Sequence, residues 1–252
     1  MKLFNIPNLF TLGNLLCGCL AIVFAFEGNL VWSAYLVGIA CVLDFLDGFL
    51  ARLLKQHSEI GKQLDSLADM VSFGVVPGVI VFVLLKTWSH SEKGLDQFSQ
   101  YDFLPYIAFI IPLFSALRLA KFNIDTRQSD SFIGVPTPAN TILIASLPLM
   151  IHFKKEMWFL DVEANLRIFV HPYSLIALSI IMSILLIAEI PLFALKFKSY
   201  GWKGNEIRWS FLALSVILLA TLQFVGIPLA IVLYVLMSVG NNLVKRKVAG
   251  DR

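Results

Sequence analysis

Between Asp44 and Asp69 the chain reads DFLDGFLARLLKQHSEIGKQLDSLAD, with four aspartates between strongly apolar flanks. Asp44 and Asp47 are three residues apart, so on a helix they share one face, which Ala51 continues with a small side chain. Gly61, Asp65 and Asp69 recur every four residues and form a second stripe. Two carboxylates about 4 Å apart repel by roughly 4 kcal/mol at an effective dielectric near 20. Four brought together must hold protons or recruit cations. All-oxygen ligands favour hard divalent ions, Mg²⁺ or Mn²⁺, and two stripes of two carboxylates suit a two-metal site for displacement at phosphorus. The bland alternative is a solvated charged turn, but aspartates embedded in VLDFLDGFL cost too much to stand idle. Gly48 and Gly61 would let a bulky ligand approach the backbone. Arg52 offers a planar fork of donors matched to phosphate oxygens.

These residues must be carried by membrane helices. The chain has 252 residues, of which 58% are hydrophobic and only 15% charged. Its mean hydropathy is +0.79. That composition excludes an ordinary soluble domain and predicts an all-α, polytopic transmembrane helix bundle. Eight apolar segments near spanning length lie at roughly 7–26, 30–54, 65–86, 103–120, 138–153, 172–195, 209–225 and 227–243. The last two form either a tight hairpin or one broken unit. The N-terminal run is kept as the first span, since no convincing cleavage site follows it. The whole chain, 1–252, reads as one integral-membrane domain. With the N-terminus inside, 15 of the 20 Lys and Arg residues fall at inside ends. That asymmetry places the acidic stretch at the cytoplasmic face of the inner membrane, with both termini cytoplasmic. The net charge of +3 is read as topology, not as affinity for nucleic acid. Cys17, Cys19 and Cys41 are expected to pack rather than to pair.

The pattern D-x2-D-G-x2-A-R-x8-G-x3-D-x3-D, filled by Asp44, Asp47, Gly48, Ala51, Arg52, Gly61, Asp65 and Asp69, resembles the signature of the CDP-alcohol phosphatidyltransferases. DSLADMVSFGVVP, RLAKFN and FIGVPTPA are similar to the phosphatidylserine synthase branch of that family, and the resemblance covers roughly residues 5–145. That part is therefore the expected catalytic core, with 170–243 as additional helices. The resemblance implies transfer of a phosphatidyl group from CDP-diacylglycerol to the hydroxyl of L-serine, with release of CMP. It implies two divalent cations held by Asp44, Asp47, Asp65 and Asp69, with Asp69 also as general base. It also implies a homodimer.

PNLFT in the first segment resembles family members that contact the nucleotide end of the donor there. Asn8, Thr11, Gly48, Ala51, Arg52, Ser58 and Gly61 are thus the expected CDP-lipid set. Thr137 is expected to cap the fifth helix with Pro138 as its first residue, an anion site that with Arg118 and Lys121 would receive the acceptor. Glu189 is expected to pair with Lys196, and the basic tail 245–252 to touch anionic headgroups. Gly74 and Gly78 are read as a packing pair and Pro77 as a kink. Glycerol 3-phosphate or inositol phosphate remains an alternative acceptor. An ion-coupled transporter is the other alternative, but it would show matching broken helices in two repeats, and only one acidic cluster is seen.

Overall fold

Each of these apolar segments contains a helix in the computed structural model, which describes residues 4–56, 58–89, 103–125, 131–153, 169–194 and 201–250. The first helices are α1 (Ile6–Phe26), α2 (Leu30–Leu53) and α3 (Glu59–Asp69). A π-helical segment (Met70–Val75) joins α3 to α4 (Val76–Ser89). A 3-10 turn (Leu104–Phe109) leads into α5 (Ile110–Ile124), and strand β1 (Ser131–Ile133) precedes α6 (Thr137–His152). Then come α7 (Pro172–Ile187), strand β2 (Pro191–Phe193), α8 (Glu206–Leu222) and α9 (Gly226–Gly250). His57, His90, Arg127, Lys196 and the side chains of 245–252 lie outside the described residues.

α1 is inside out relative to a helix of a water-soluble protein. On α1, Asn8, Thr11, Asn14, Gly18, Ala21 and Ala25 are buried, while Leu9, Leu16, Leu20 and Val23 face outward. Steps of three and four put the polar and small residues on one side. Lipid solvates the apolar side as well as a protein core would, so the polar edge turns inward. Asn5 caps this helix by accepting from the Asn8 amide at 2.8 Å, with Pro7 in the first turn. α1 and α2, with 21 and 24 residues, are long and apolar enough to cross a membrane. Glu59–Trp88 and Leu104–Ile124 meet the same criterion. The protein is a polytopic membrane helix bundle.

α4 is the central element, with Val76, Ile80, Val81, Leu84 and Leu85 all buried. Gly74 and Gly78 abut Ser115 and Pro112 of α5, at 3.2 and 2.8 Å from where a Cβ would stand. The pair therefore packs helices, as expected. On the other side of the π segment, a Cβ on Gly18 would lie 2.4 Å from Ser72 Oγ and 3.0 Å from Ser72 Cα. Backbone cannot yield there as a flexible side chain would. Gly18→Ala is expected to destabilise the fold by about 1–3 kcal/mol. Thermal unfolding in detergent checks this, and a midpoint equal to that of the parent would show that α1 and the π segment do not meet there.

Two differences from the sequence reading have local causes, and one alternative that it left open, at the last two helices, is resolved. The sixth segment, expected to run to 195, ends as a helix at Ile187, and Pro191–Phe193 pairs antiparallel with Ser131–Ile133. Ala188 is already extended, with ψ 138°. This small sheet was not expected in an all-α chain. Gly134, at φ +75°, continues the clasp by donating to the Ile190 carbonyl at 3.0 Å. Thr137 is the first residue of α6 and does not cap it; Pro136 is the cap, because its extended backbone already turns the chain into the helix. α8 and α9 form a tight hairpin: the break at Gln223, φ +49°, brings the rings of Phe211 and Tyr234 to 5.5 Å.

Candidate active site at one end of the bundle

α2 delivers Asp44 and Asp47 on one face, and α3 delivers Asp65 and Asp69 on the facing stripe. One carboxylate oxygen from each of Asp44, Asp47 and Asp65 lies within 4.8 Å of the other two. Asp44 also reaches Asp69. The four acids expected to act together are therefore brought together, three in a tight group and the fourth one turn on.

α1 orients this group. Thr11 Oγ1 donates to Asp47 Oδ2 at 2.7 Å, sharing its proton with the Pro7 carbonyl at 3.2 Å. Asn14 Nδ2 donates to Asp69 Oδ1 at 3.3 Å. Both donors are almost wholly buried. A hydrogen bond to a carboxylate contributes about 1.5–3 kcal/mol and fixes the direction of its lone pairs. Asn8, Thr11 and Asn14 recur every three residues, a spacing that marks a polar edge, but the engagement of Asn14 with Asp69 is not legible in it.

Beside the acids opens a cavity of about 530 Å³. Asn8, Thr11, Gly48, Ala51, Arg52, Ser58 and Gly61, the whole set expected to bind a CDP-lipid, line it together with Asp47 and Asp65. Pro7 of the PNLFT run lines it too, as do Gln56, Glu59 and Lys62, to which the sequence reading had given no role at the site. Ser58 caps α3 by accepting from the Gly61 amide at 3.0 Å, so the start of that helix faces the cavity. A Cβ on Gly61 would meet Ser58 Oγ at 3.0 Å and Asn8 Oδ1 at 3.1 Å. This glycine lets α1 and α3 close, whereas Gly48 leaves open space beside Arg52.

The residues expected to hold the acceptor stand apart from this lining. Arg118 is 5% exposed; its Nε donates to the Val135 carbonyl at 3.3 Å and its guanidinium lies over Phe122, 5.0 Å away. Thr137, two residues beyond Val135, is likewise buried. Lys121 is ion-paired with Glu189 at 3.1 Å, and Lys196, the partner expected for Glu189, lies outside the described residues. The clasp accounts for this: it holds the end of α7 against α5.

The acidic group fits a divalent metal ion. Its donors are all carboxylate oxygens, close enough to share one cation, and at least one of them is oriented by a neighbour.

Comparison with known proteins agrees with this geometry. The chain is similar to a CDP-diacylglycerol–serine O-phosphatidyltransferase of Helicobacter pylori strain J99, 36% identical over 150 residues and 59% of each chain. It is similar to enzymes of the same name from Bacillus subtilis, 36% identical over 53% of this chain and 69% of the relative, and Methanocaldococcus jannaschii, 33% identical over 60% and 64%. The match to the Helicobacter proteins thus spans 59% of their length. A sequence profile described as CDP-alcohol phosphatidyltransferase matches residues 4–220, which takes in both acidic helices, the cavity and the clasp. On that match the chain belongs to the CDP-alcohol phosphatidyltransferase family.

Proposed function

We propose that this protein is a CDP-diacylglycerol–serine O-phosphatidyltransferase of phospholipid biosynthesis. It moves the phosphatidyl group of CDP-diacylglycerol to the hydroxyl of L-serine, giving phosphatidylserine and CMP. The observation that carries this reading is the meeting of three carboxylates from two helices, with Asp69 one turn on, beside a cavity lined by the expected CDP-lipid set. The names of the similar enzymes support the choice of substrates.

In this reading Arg52 binds the pyrophosphate, and Gly48 and Ala51 leave room for the nucleotide. Asp44, Asp47, Asp65 and Asp69 would hold two divalent cations, Mg²⁺ or Mn²⁺. When bound, these neutralise phosphate charge and stabilise departing CMP. Asp69 takes the proton of the serine hydroxyl. The hydroxyl oxygen bonds to the β-phosphorus as the phosphorus–oxygen bond to CMP breaks. Asn14 occupies one oxygen of Asp69 and so aims the other. No covalent enzyme intermediate is needed.

Arg118 receives the acceptor's carboxylate in this proposal. A nearly buried guanidinium whose described hydrogen bond is to a carbonyl, not to a carboxylate, is poised to gain an anion. Lys121 is already ion-paired with Glu189, which favours a singly charged acceptor over a phosphorylated one. Arg118→Ala is expected to raise KM for serine about tenfold or more, the loss of one charge-assisted hydrogen bond. An unchanged KM for serine would remove Arg118 from the role.

The deciding experiment is an acceptor panel. Purified protein, CDP-diacylglycerol and Mg²⁺ or Mn²⁺ are given serine, glycerol 3-phosphate or inositol phosphate separately. Release of CMP with serine alone is expected, and turnover with only a phosphorylated acceptor would overturn the assignment. The positive charge at one side of the bundle supports a site at the cytoplasmic face of the inner membrane with both termini cytoplasmic. A homodimer is part of the same proposal.

A further inference from the structure

Asp69 is the last residue of α3, and the chain beyond it is not α-helical. Met70–Val75 is a π-helix whose closing amide, that of Val76, donates to the Val71 carbonyl five residues back. A π turn holds more residues than an α turn, so it rotates the helix before it relative to the helix after it. Here it sets the face on which Asp69 falls against the fixed, buried side of α4.

Two helices hold this segment. On one side Ser72 Oγ donates to the Asn14 carbonyl at 2.9 Å, and Asn14 itself donates to Asp69. On the other side Thr141 of α6 donates to the Phe73 carbonyl at 2.8 Å, sharing its proton with the Thr137 carbonyl at 2.9 Å. This donor falls where Pro77 leaves the backbone short of amide protons. Pro77 follows Phe73 by four residues and Ser72 by five, and it has no amide proton. Whether the ladder runs in α or π register, one of these two carbonyls loses its backbone partner. Thr141 is fully buried, lies outside the acidic motif and does not line the cavity.

We propose that Thr141 is a positioning residue for Asp69. By donating to the carbonyl region stripped by Pro77, it fixes the register of Met70–Val75 and thereby the direction in which the Asp69 carboxylate points. It touches no substrate. The inference rests on the reading of Asp69 as the base in phosphatidyl transfer.

The test uses Thr141→Val, which keeps shape and removes the hydroxyl, Thr141→Ser, which keeps the hydroxyl, and Pro77→Ala, which restores an amide. CMP release is measured with CDP-diacylglycerol and serine, and donor binding by the rise in thermal midpoint on adding CDP-diacylglycerol. Misplacing a reacting group by about 1 Å costs on the order of 100-fold. Thr141→Val is therefore expected to lower kcat about 10- to 100-fold, with KM for the donor and the donor-induced midpoint rise unchanged. Thr141→Ser should recover most of the loss. In the Pro77→Ala background, removing the hydroxyl should cost less than about threefold, since interacting groups are non-additive.

The proposal is overturned if Thr141→Val turns over like the parent, if Thr141→Ser is as slow as Thr141→Val, or if the loss is the same with Pro77→Ala. If Thr141→Val does not fold, the double variant decides: recovery of folded, active protein supports the proposal and continued failure overturns it. A parent protein that releases no CMP with any acceptor would sink the functional reading and this inference together. A fast Thr141→Val would sink the inference alone.

Discussion

Asp69→Asn is expected to leave a folded, donor-binding protein whose kcat is lower by about 100- to 10,000-fold, the range for losing a positioned general base. The substitution is nearly isosteric. Its amide oxygen can still accept from Asn14 Nδ2, which now holds Asp69 Oδ1 at 3.3 Å. What is lost, on the proposed mechanism, is the ability to take a proton from serine. CMP release gives the rate, and the thermal shift on adding CDP-diacylglycerol shows whether the donor still binds. Turnover above about a tenth of the parent rate would take the base role away from Asp69, because a misassigned base should cost little.

The second large effect is expected on removing divalent cations. Chelation should lower CMP release by a factor of about 1,000 or more, since Lewis-acid stabilisation supplies several kcal/mol and each 1.36 kcal/mol is tenfold. Adding Mg²⁺ or Mn²⁺ should restore it. Asp44, Asp47 and Asp65 lie within 4.8 Å of one another through their oxygens, so removing any one exposes the others' repulsion without a full ligand set. Asp47→Ala should therefore bind fewer Mn²⁺ ions per chain, counted by paramagnetic resonance, independently of any turnover. Full activity in chelator, or an unchanged Mn²⁺ count in Asp47→Ala, would remove the metal from the account.

Much of this architecture is legible in the chain because two periodicities report it directly. Apolar stretches of spanning length marked the helices, and three- and four-residue spacing put the aspartates on facing stripes. Spacing, however, names a face and not a partner. Asn14 stood on a visible polar edge, yet its contact with Asp69, 55 positions away, depends on how α1 and α3 cross. Lys121 meets Glu189 for the same kind of reason, 68 positions apart. β1 and β2, three residues each, are too short to show any alternation. Pro77 announced an irregularity, but whether it would bend the helix or widen it was decided by Thr141 and Asn14 from outside.

The strand pair carries a consequence for how the protein is made. β2 is held in turn by the last helix: Tyr234 donates to the Phe193 carbonyl at 2.8 Å, and Asn242 Nδ2 to the Pro191 carbonyl at 2.6 Å. Just before β2 the Ile190 carbonyl accepts from Gly134, while Val135 donates to the Leu185 carbonyl of α7 and accepts from Arg118. Synthesis runs from the N-terminus. A nascent chain that has reached about residue 190 already holds all four aspartates, the cavity lining and the Leu185 partner of Val135, while β1 still lacks β2 and the last helix that fastens it. The acidic group and its cavity are thus complete in sequence before the strand pair, which waits for the final transmembrane segment to secure it.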